Sequence, residues 1–485
     1  MKAQPVQAQP VKAQPVSGRH PVDQMLPIPK LALMGLQHVL IMYTGCVTVP
    51  LVFGSAAGLD QRTVALLINA DLLVAGVVTV LQSLGVGKLL GVRLPVVAGA
   101  TFAGVTPMIL IASNYGLQAV YGSILAAGVF GIIIATPFAK IVRFFPPVVT
   151  GCIIVVIGLS LIRVAAGLIL GQDATAPGYA SVGNIALAAV VVLVIVLITR
   201  FVRGLLGQLA VIAGLVIGTV IVAFQGDLDF SSVGDAAWVG FSQPFYFGAP
   251  EFPIGAVVSM CIVMLVIFTE STGDMIAVAN LVGKPLTPAA LRRGLMTDGV
   301  SGVLAGIFNS FLDTVFAQNI GLISVTKVRS RFVATAAGLI LFLLGVVPKM
   351  GEIIASLPGP VIGAAGLVMF ATVTSVGIRT LAEVEYEGNH NLMLVSVAIG
   401  LGLLPVAAPT MFMNFPDWFQ TVFGSAITTT AVVAFLLNLM FNHLKFRGPQ
   451  NLGPQDSGVS VDPDAVAPAP AIDLADVMTP AKEGV

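Results

Sequence analysis

The sequence predicts an all-α polytopic membrane protein: fourteen transmembrane segments in two inverted repeats of seven, with segments 3 and 10 short and unwound. Three observations predict it. The chain is 57% hydrophobic and 9% charged over 485 residues, too little charge to cover a soluble surface. Its apolar residues fall into fourteen separate segments. Short motifs recur at an offset of 210 to 212 residues, which divides those segments into seven and seven.

The segments run over residues 31–53, 62–84, 96–112, 118–138, 146–168, 182–201, 206–225, 255–278, 290–309, 313–326, 331–348, 359–378, 390–407 and 425–444. Most reach the ~20 residues that a spanning helix needs; the third and tenth do not. An even number places both termini on one side. With the N-terminus cytoplasmic, only Arg62, Arg163 and Lys349 of the 23 Lys and Arg fall outside, and the loop 226–252 outside carries Asp227, Asp229, Asp235 and Glu251. That is the positive-inside pattern. Both tails read as disordered and cytoplasmic. Residues 1–29 contain a repeated Ala-Gln-Pro-Val with no cleavable signal, and residues 447–485 are rich in Pro, Ala and Asp. Cys46, Cys152 and Cys261 lie in apolar segments without metal spacing and read as packing residues.

The repeat is carried by two motifs. Ala126-Ala127-Gly128 returns as Ala336-Ala337-Gly338, and Phe145-Pro146-Pro147-Val148-Val149-Thr150-Gly151 returns as Leu357-Pro358-Gly359-Pro360-Val361-Ile362-Gly363. Segments 3 and 10 fall in the same register. Since seven is odd, the halves have opposite orientations in the membrane. Inverted repeats with unwound segments meeting at the bilayer midplane are a common design of secondary transporters.

Segment 10 holds Gln318 and Asn319 followed at one remove by Gly321. Amides at membrane depth are costly unless satisfied, and so mark a pathway or a binding site. The acids inside segments are Asp71, Glu270, Asp274, Asp298 and Asp313, each costing ~2.5–3.5 kcal/mol at the bilayer centre on an insertion scale. Glu270 and Asp274 are one helical turn apart on one face. A carboxylate is a two-lobed acceptor suited to paired ring N–H donors, and a carboxamide matches a neighbouring carbonyl and N–H.

The run Gln318-Asn319-x-Gly321-x-x-x-x-Thr326-Lys327 resembles the signature of the nucleobase–ascorbate transporter (nucleobase:cation symporter) family. Phe268-Thr269-Glu270-Ser271-Thr272-Gly273-Asp274 resembles its eighth-helix motif, Leu36-Gln37-His38-Val39 its first and Gly294-Leu295-Met296-Thr297-Asp298-Gly299 its ninth. Leu94-Pro95-Val96-Val97-Ala98-Gly99-Ala100-Thr101-Phe102 is similar to the third-segment motif of the xanthine and uric acid permease branch. The resemblance covers most of residues 30–446. It implies a core domain of segments 1–4 and 8–11 (30–140 and 254–349) and a gate and dimer domain of segments 5–7 and 12–14 (141–253 and 350–446).

It also implies the site. Glu270 and Gln318 clamp the hydrogen-bonding edges of a purine base, Phe102 stacks on its face, and Asn319 holds the unwound segment and approaches the substrate. Asp298 reads as a polar ligand or proton carrier, or else as a structural hydrogen-bond hub. Asp274 reads as coupling support or a pin between helices, and His38 as site-related or a satisfied core histidine. Asp71 and Asp313 read as packing or loop residues. In the family the first signature position tends to be Gln in purine carriers and Glu in uracil carriers, and here it is Gln318. Ala103 stands where xanthine-selective relatives tend to carry a larger polar residue, which leaves xanthine and uric acid both open.

The expected function is import of a purine base by proton symport, with no cofactor beyond the coupling proton and no enzymatic activity. A homodimer in the plasma membrane is expected, the inner membrane in a bacterium, with no nucleic-acid partner. The alternatives are a uracil or other nucleobase symporter and a sulfate-type anion permease. Against the latter, Glu270 repels anions and only about 40 residues follow the last segment. An intramembrane aspartyl protease lacks support, because Ser271 replaces the first glycine of Gly-x-Gly-Asp and no Tyr-Asp partner exists.

Overall fold

The computed structural model describes residues 20–444 apart from 172, 173, 177, 227 and 229. The expected tails beyond these limits, and Asp227 and Asp229, lie outside the described residues. Fourteen helices correspond one to one with the fourteen segments. They are α1 (Ile28–Ala56), α2 (Gln61–Leu84), α3 (Val105–Tyr115), α4 (Leu117–Ile141), α5 (Pro147–Leu170), α6 (Val182–Phe201) and α7 (Ala210–Gln225). The second half has α8 (Ile254–Val282), α9 (Pro288–Phe308), α10 (Ala317–Thr326), α11 (Arg331–Gly345), α12 (Gly359–Ala382), α13 (Asn391–Ala407) and α14 (Ala426–Asn438).

Local sequence sets the helix ends. Asp60 accepts the backbone N–H of Thr63 at 3.2 Å to open α2, and Gly85, at φ 74°, ends it. Thr287 accepts the N–H of Ala290 at 3.2 Å ahead of Pro288, a residue suited to the first helical turn. Among the described residues, eight helices are long and apolar enough to cross a membrane. These include α14 taken on to His443, and the other six fall short for identifiable reasons: α9 carries Arg292, Arg293 and Asp298, while α3, α7, α10, α11 and α13 are short.

Segments 3 and 10 are each a strand followed by a short helix. β1 (Ala98–Ala100) pairs antiparallel with β2 (Asp313–Val315), with Ala98 opposite Val315, Gly99 opposite Thr314 and Ala100 opposite Asp313. The helices that follow have 11 and 10 residues, about 15–17 Å at 1.5 Å per residue, or half a bilayer each.

The repeat is visible in the packing. Segment n of the first half corresponds to segment n+7 of the second, and α2 packs on α11 as α9 packs on α4. Likewise α1 lies against α11 as α8 lies against α4. The repeated Ala-Ala-Gly motif makes the equivalent contact in both halves. A Cβ on Gly128 would lie 2.3 Å from the Val303 backbone nitrogen, and one on Gly338 2.8 Å from the Gly76 carbonyl oxygen. Small residues let the backbones approach at these crossings. The second motif also lands on one equivalent interface, α5 against α12, where Gly151 meets Leu381 and Gly363 meets Ala165.

Two expectations need correction. Segment 11 is expected to end at residue 348 and to give way to a loop there. Instead α11 stops at Gly345, and a further helix, Pro348–Ala355, departs at 80°. Pro348 cannot continue the helix because it lacks an N–H and its ring clashes with the preceding turn. The N-terminal tail was expected to stay disordered to residue 29, but Pro21–Asp23 forms a 3₁₀ turn docked on the second half. Asp23 accepts from Lys284 Nζ at 2.9 Å and from Arg331 Nε at 2.8 Å. Burial alone would raise the Asp23 carboxyl, but these two cations outweigh it and hold it below its ordinary value. The three cysteines are free thiols, with Cys46 and Cys152 buried.

Candidate functional site

The two strands cross in front of α8, and Glu270 faces the crossing. Thr101, the residue after β1, donates its hydroxyl to Glu270 Oε2 at 3.3 Å. Its backbone N–H bonds the Leu312 carbonyl at 2.8 Å, just before β2, and its hydroxyl also accepts the Ala103 N–H at 3.1 Å. One threonine therefore ties both strands' ends to the carboxylate. From the other side, the Ser271 hydroxyl lies 3.1 Å from Thr314 Oγ1 and accepts the Val315 N–H at 3.3 Å. Glu270 is half-buried. The ion pairs of the described residues lie elsewhere, at Asp23.

Gln318 is exposed at the second position of α10, a helix whose N-terminus has no side-chain cap. Free N–H groups and the positive end of the helix dipole meet there. α8 and α10 pack together, so Glu270 and Gln318 stand on adjoining elements. Asn319, one residue on, is buried and turns away: its Nδ2 donates to His38 Nδ1 at 3.0 Å, and its Oδ1 is left without a hydrogen-bond partner. His38 is thus joined to the signature segment, with Nδ1 as the acceptor.

Phe102 is 8% exposed and sits edge-on to Phe370 of α12, ring centroids 5.4 Å apart at 83°. The ring therefore bridges segments 3 and 12. Ala103 is fully buried on the same 3₁₀ turn. Asp298 is buried and accepts from Gln82 Nε2 at 2.8 Å. Gln82 also bonds the Gly294 carbonyl at 3.0 Å and the Val92 N–H at 3.2 Å, which makes Asp298 part of a hub joining α2, α9 and the loop from α2 to β1. Asp274 is half-buried one turn beyond Glu270. The cavities of about 220 Å³ beside Arg62 and Glu352 and about 230 Å³ beside Arg93 and Lys284 include none of these residues.

Sequence reasoning missed Thr101 and Gln82. Thr101 stood inside the third-segment motif, but nothing in spacing alone says that its hydroxyl reaches Glu270 169 positions away. Gln82 was an amide inside an apolar segment, the same signal that drew attention to Gln318. Asp71 and Asp313, read as packing or loop residues, are buried acids near one another.

The arrangement suits binding rather than a reaction. It offers a two-lobed acceptor, an exposed amide and a helix N-terminus, at the meeting of two half-helices. Known proteins agree. The permease family model (Xan_ur_permease) matches residues 29–411. The uric acid transporter UacT of Escherichia coli (strain K12) is 40% identical over 424 residues, 87% of this chain and 88% of that one. The nucleobase transporter PlUacP of Paenibacillus larvae is 39% identical over 412 residues, covering 85% and 94%. The xanthine permease of Bacillus subtilis (strain 168) is 39% identical over 409 residues, covering 84% and 93%. Among solved structures, the transmembrane domain of the cyanobacterial bicarbonate transporter BicA aligns with TM-score 0.53 at 14% identity, over 84% of this chain and 96% of that one. SLC26A9 aligns with TM-score 0.57 at 12% identity, over 86% and 66%. At that identity they speak to the fold alone, the seven-plus-seven inverted repeat. The chain belongs to the permease family of the nucleobase–ascorbate transporters, and it is a multi-pass membrane transporter rather than an enzyme.

Proposed function

We propose that this transporter imports a purine nucleobase, xanthine, uric acid or both, by proton symport. The observation that carries the reading is the half-buried Glu270 at the strand crossing, held by Thr101 and adjoining the uncapped N-terminus of α10 with its exposed Gln318. A carboxylate accepts from two ring N–H groups, and the Gln318 amide pairs with a carbonyl and N–H of the same ring. Phe102 stacks on the base, which requires its ring to swing from Phe370 or the base to meet its remaining edge. Asn319 holds the start of α10 through His38 and adds one free carbonyl oxygen. Ala103 sets the volume behind Phe102.

A carrier that concentrates a base needs a driving ion. A carboxyl group takes up and gives back a proton without a ligand cage, and Glu270, with Asp274 and Asp298 in support, supplies such groups on the core helices. Segments 1–4 and 8–11 form the moving core and segments 5–7 and 12–14 the gate and dimer domain. The basic loops put both termini in the cytoplasm, in the plasma membrane or the inner membrane of a bacterium. The amide at position 318 and the relatives' printed names favour a purine over uracil. A panel of unlabelled bases competing against labelled xanthine tests this. Xanthine and uric acid should compete and uracil should not; competition by uracil alone overturns the purine reading.

A further inference from the structure

Two acids stand outside the clamp. Asp71 lies midway along α2 and is fully buried; Asp313 opens β2 and is 1% exposed. The Ser310 hydroxyl donates to Asp71 Oδ1 at 3.3 Å. The Ser301 hydroxyl donates to Asp313 Oδ2 at 2.8 Å and accepts the Asp313 N–H at 3.2 Å. The two carboxyls lie within electrostatic reach of each other. The second oxygen of each, Asp71 Oδ2 and Asp313 Oδ1, is buried without a hydrogen-bond partner among the described residues. A third orphan adjoins them: the hydroxyl of Tyr121 of α4, a residue 2% exposed and within reach of Asp71.

The surroundings supply no neutralising charge. The titratable groups facing the pair are the Cys46 thiol from α1, the Tyr121 phenol from α4 and the Asp298 carboxyl from α9. The ion pairs of the described residues join Asp23 to Lys284 and Arg331, and involve neither acid. Two ionised carboxylates at membrane depth would each carry a desolvation penalty and repel one another. A bound cation removes both costs. No group of three or more His, Cys, Asp or Glu among the described residues could hold a metal ion. A proton needs only two oxygens, and two lie free.

We propose that Asp71 and Asp313 share one proton and exchange it during transport. The inference rests on the proton-symport reading above. The linkage to the substrate site is short and runs through one strand pairing and one hydrogen bond. Asp313 pairs in register with Ala100, the residue before Thr101, and Thr101 holds Glu270. On the other strand, the neighbouring Thr314 meets Ser271, the residue after Glu270. Asp298 is within electrostatic reach of both Asp313 and Glu270, so the acids form a chain from the substrate site to the pair. When the shared proton leaves to water its O–H bond breaks and two like charges remain. Their repulsion makes the empty pair the unstable state, which reloads from the other side.

The test uses the full-length protein in proteoliposomes with labelled xanthine and uric acid. A pH gradient of one unit supports about tenfold accumulation when one proton moves per substrate. Asp71→Asn and Asp313→Asn each remove one member of the pair. Each should reduce accumulation to about onefold and flatten the pH profile of uptake. Accumulation and pH profile at the parent's level in both variants overturn the inference while leaving proton symport standing. If parent accumulation ignores the pH gradient, symport falls and the exchange step falls with it. Infrared spectra of the parent need no variant to fold: a buried carboxylic-acid C=O band that shifts on deuteration and titrates is expected. Its absence overturns the shared proton on its own.

Discussion

Thr101 Oγ1 reaches Glu270 Oε2 at 3.3 Å, a hydrogen bond between the first inverted repeat and the second. It ties the Glu270 carboxylate to both halves, because the same threonine is anchored to Leu312 at the head of β2. A motion of either half changes the geometry of the clamp.

Glu270→Gln keeps the side chain's size but removes the charge and turns an acceptor oxygen into a donor. Losing a charged hydrogen bond and leaving a group unpaired costs about 2–4 kcal/mol, or roughly 30-fold to several-hundred-fold in uptake. Protein levels in the membrane should be normal. Thr101→Val, which deletes only the supporting hydroxyl, should reduce uptake by less. Transport by Glu270→Gln at the parent rate removes Glu270 from the site.

Gln318→Glu removes the amide donors while leaving an exposed position exposed, so the fold should survive. Purine uptake should weaken, since a carboxylate cannot donate to the base's carbonyl. Enlarging Ala103 to Asn or Thr should shift the ratio of xanthine to urate uptake. An unchanged ratio with Asn, Thr and Ser at 103 shows that this wall does not line the pocket.

Gly128→Ala and Gly338→Ala test the repeat rather than the site. The new Cβ would sit 2.3 Å from the Val303 nitrogen in one and 2.8 Å from the Gly76 oxygen in the other, backbone atoms that cannot swing aside. Overpacking of this kind costs about 1–3 kcal/mol. Thermal unfolding in detergent should show both variants destabilised, Gly128→Ala more. Two unchanged Tm values would break the claim that the motif marks equivalent helix crossings.

Asp23 gives a pH signature away from the membrane. Lys284 and Arg331 depress its carboxyl below the ordinary 3.8. A depressed acid stabilises the fold above its unfolded value and loses that contribution as pH falls through the folded one. The side chain is 34% exposed, so the effect is that of a solvent-screened pair, at most about 1 kcal/mol. Asp23→Asn should therefore lower Tm at neutral pH, and the difference should shrink as pH falls below 3.8 and vanish once pH lies below the depressed folded value. A difference that persists in acid contradicts the ion-pair account.

What the sequence made legible is what local chemistry and periodicity encode. Fourteen apolar runs became fourteen helices, because membrane insertion demands length and apolarity from each run separately. Ala126-Ala127-Gly128 and Ala336-Ala337-Gly338 pointed to equivalent crossings, since only small residues fit there. Thr101 and Gln82 were not legible as partners of Glu270 and Asp298, because a hydroxyl or amide in an apolar run does not announce which distant acid it meets. The helix after Pro348 was not legible, because Lys349 and Glu352 make that stretch read as a loop. Asp71 and Asp313 looked like isolated acids until the Ser310 hydroxyl, bonded to Asp71, brought the head of segment 10 against segment 2.

Uptake of labelled xanthine and uric acid into proteoliposomes, driven in turn by a pH gradient and by a sodium gradient, tests the central claim most directly. The account predicts accumulation of at least one of these purines that follows the pH gradient, ignores sodium and is abolished by Glu270→Gln. Accumulation that follows sodium and ignores pH, or that persists in Glu270→Gln, contradicts it.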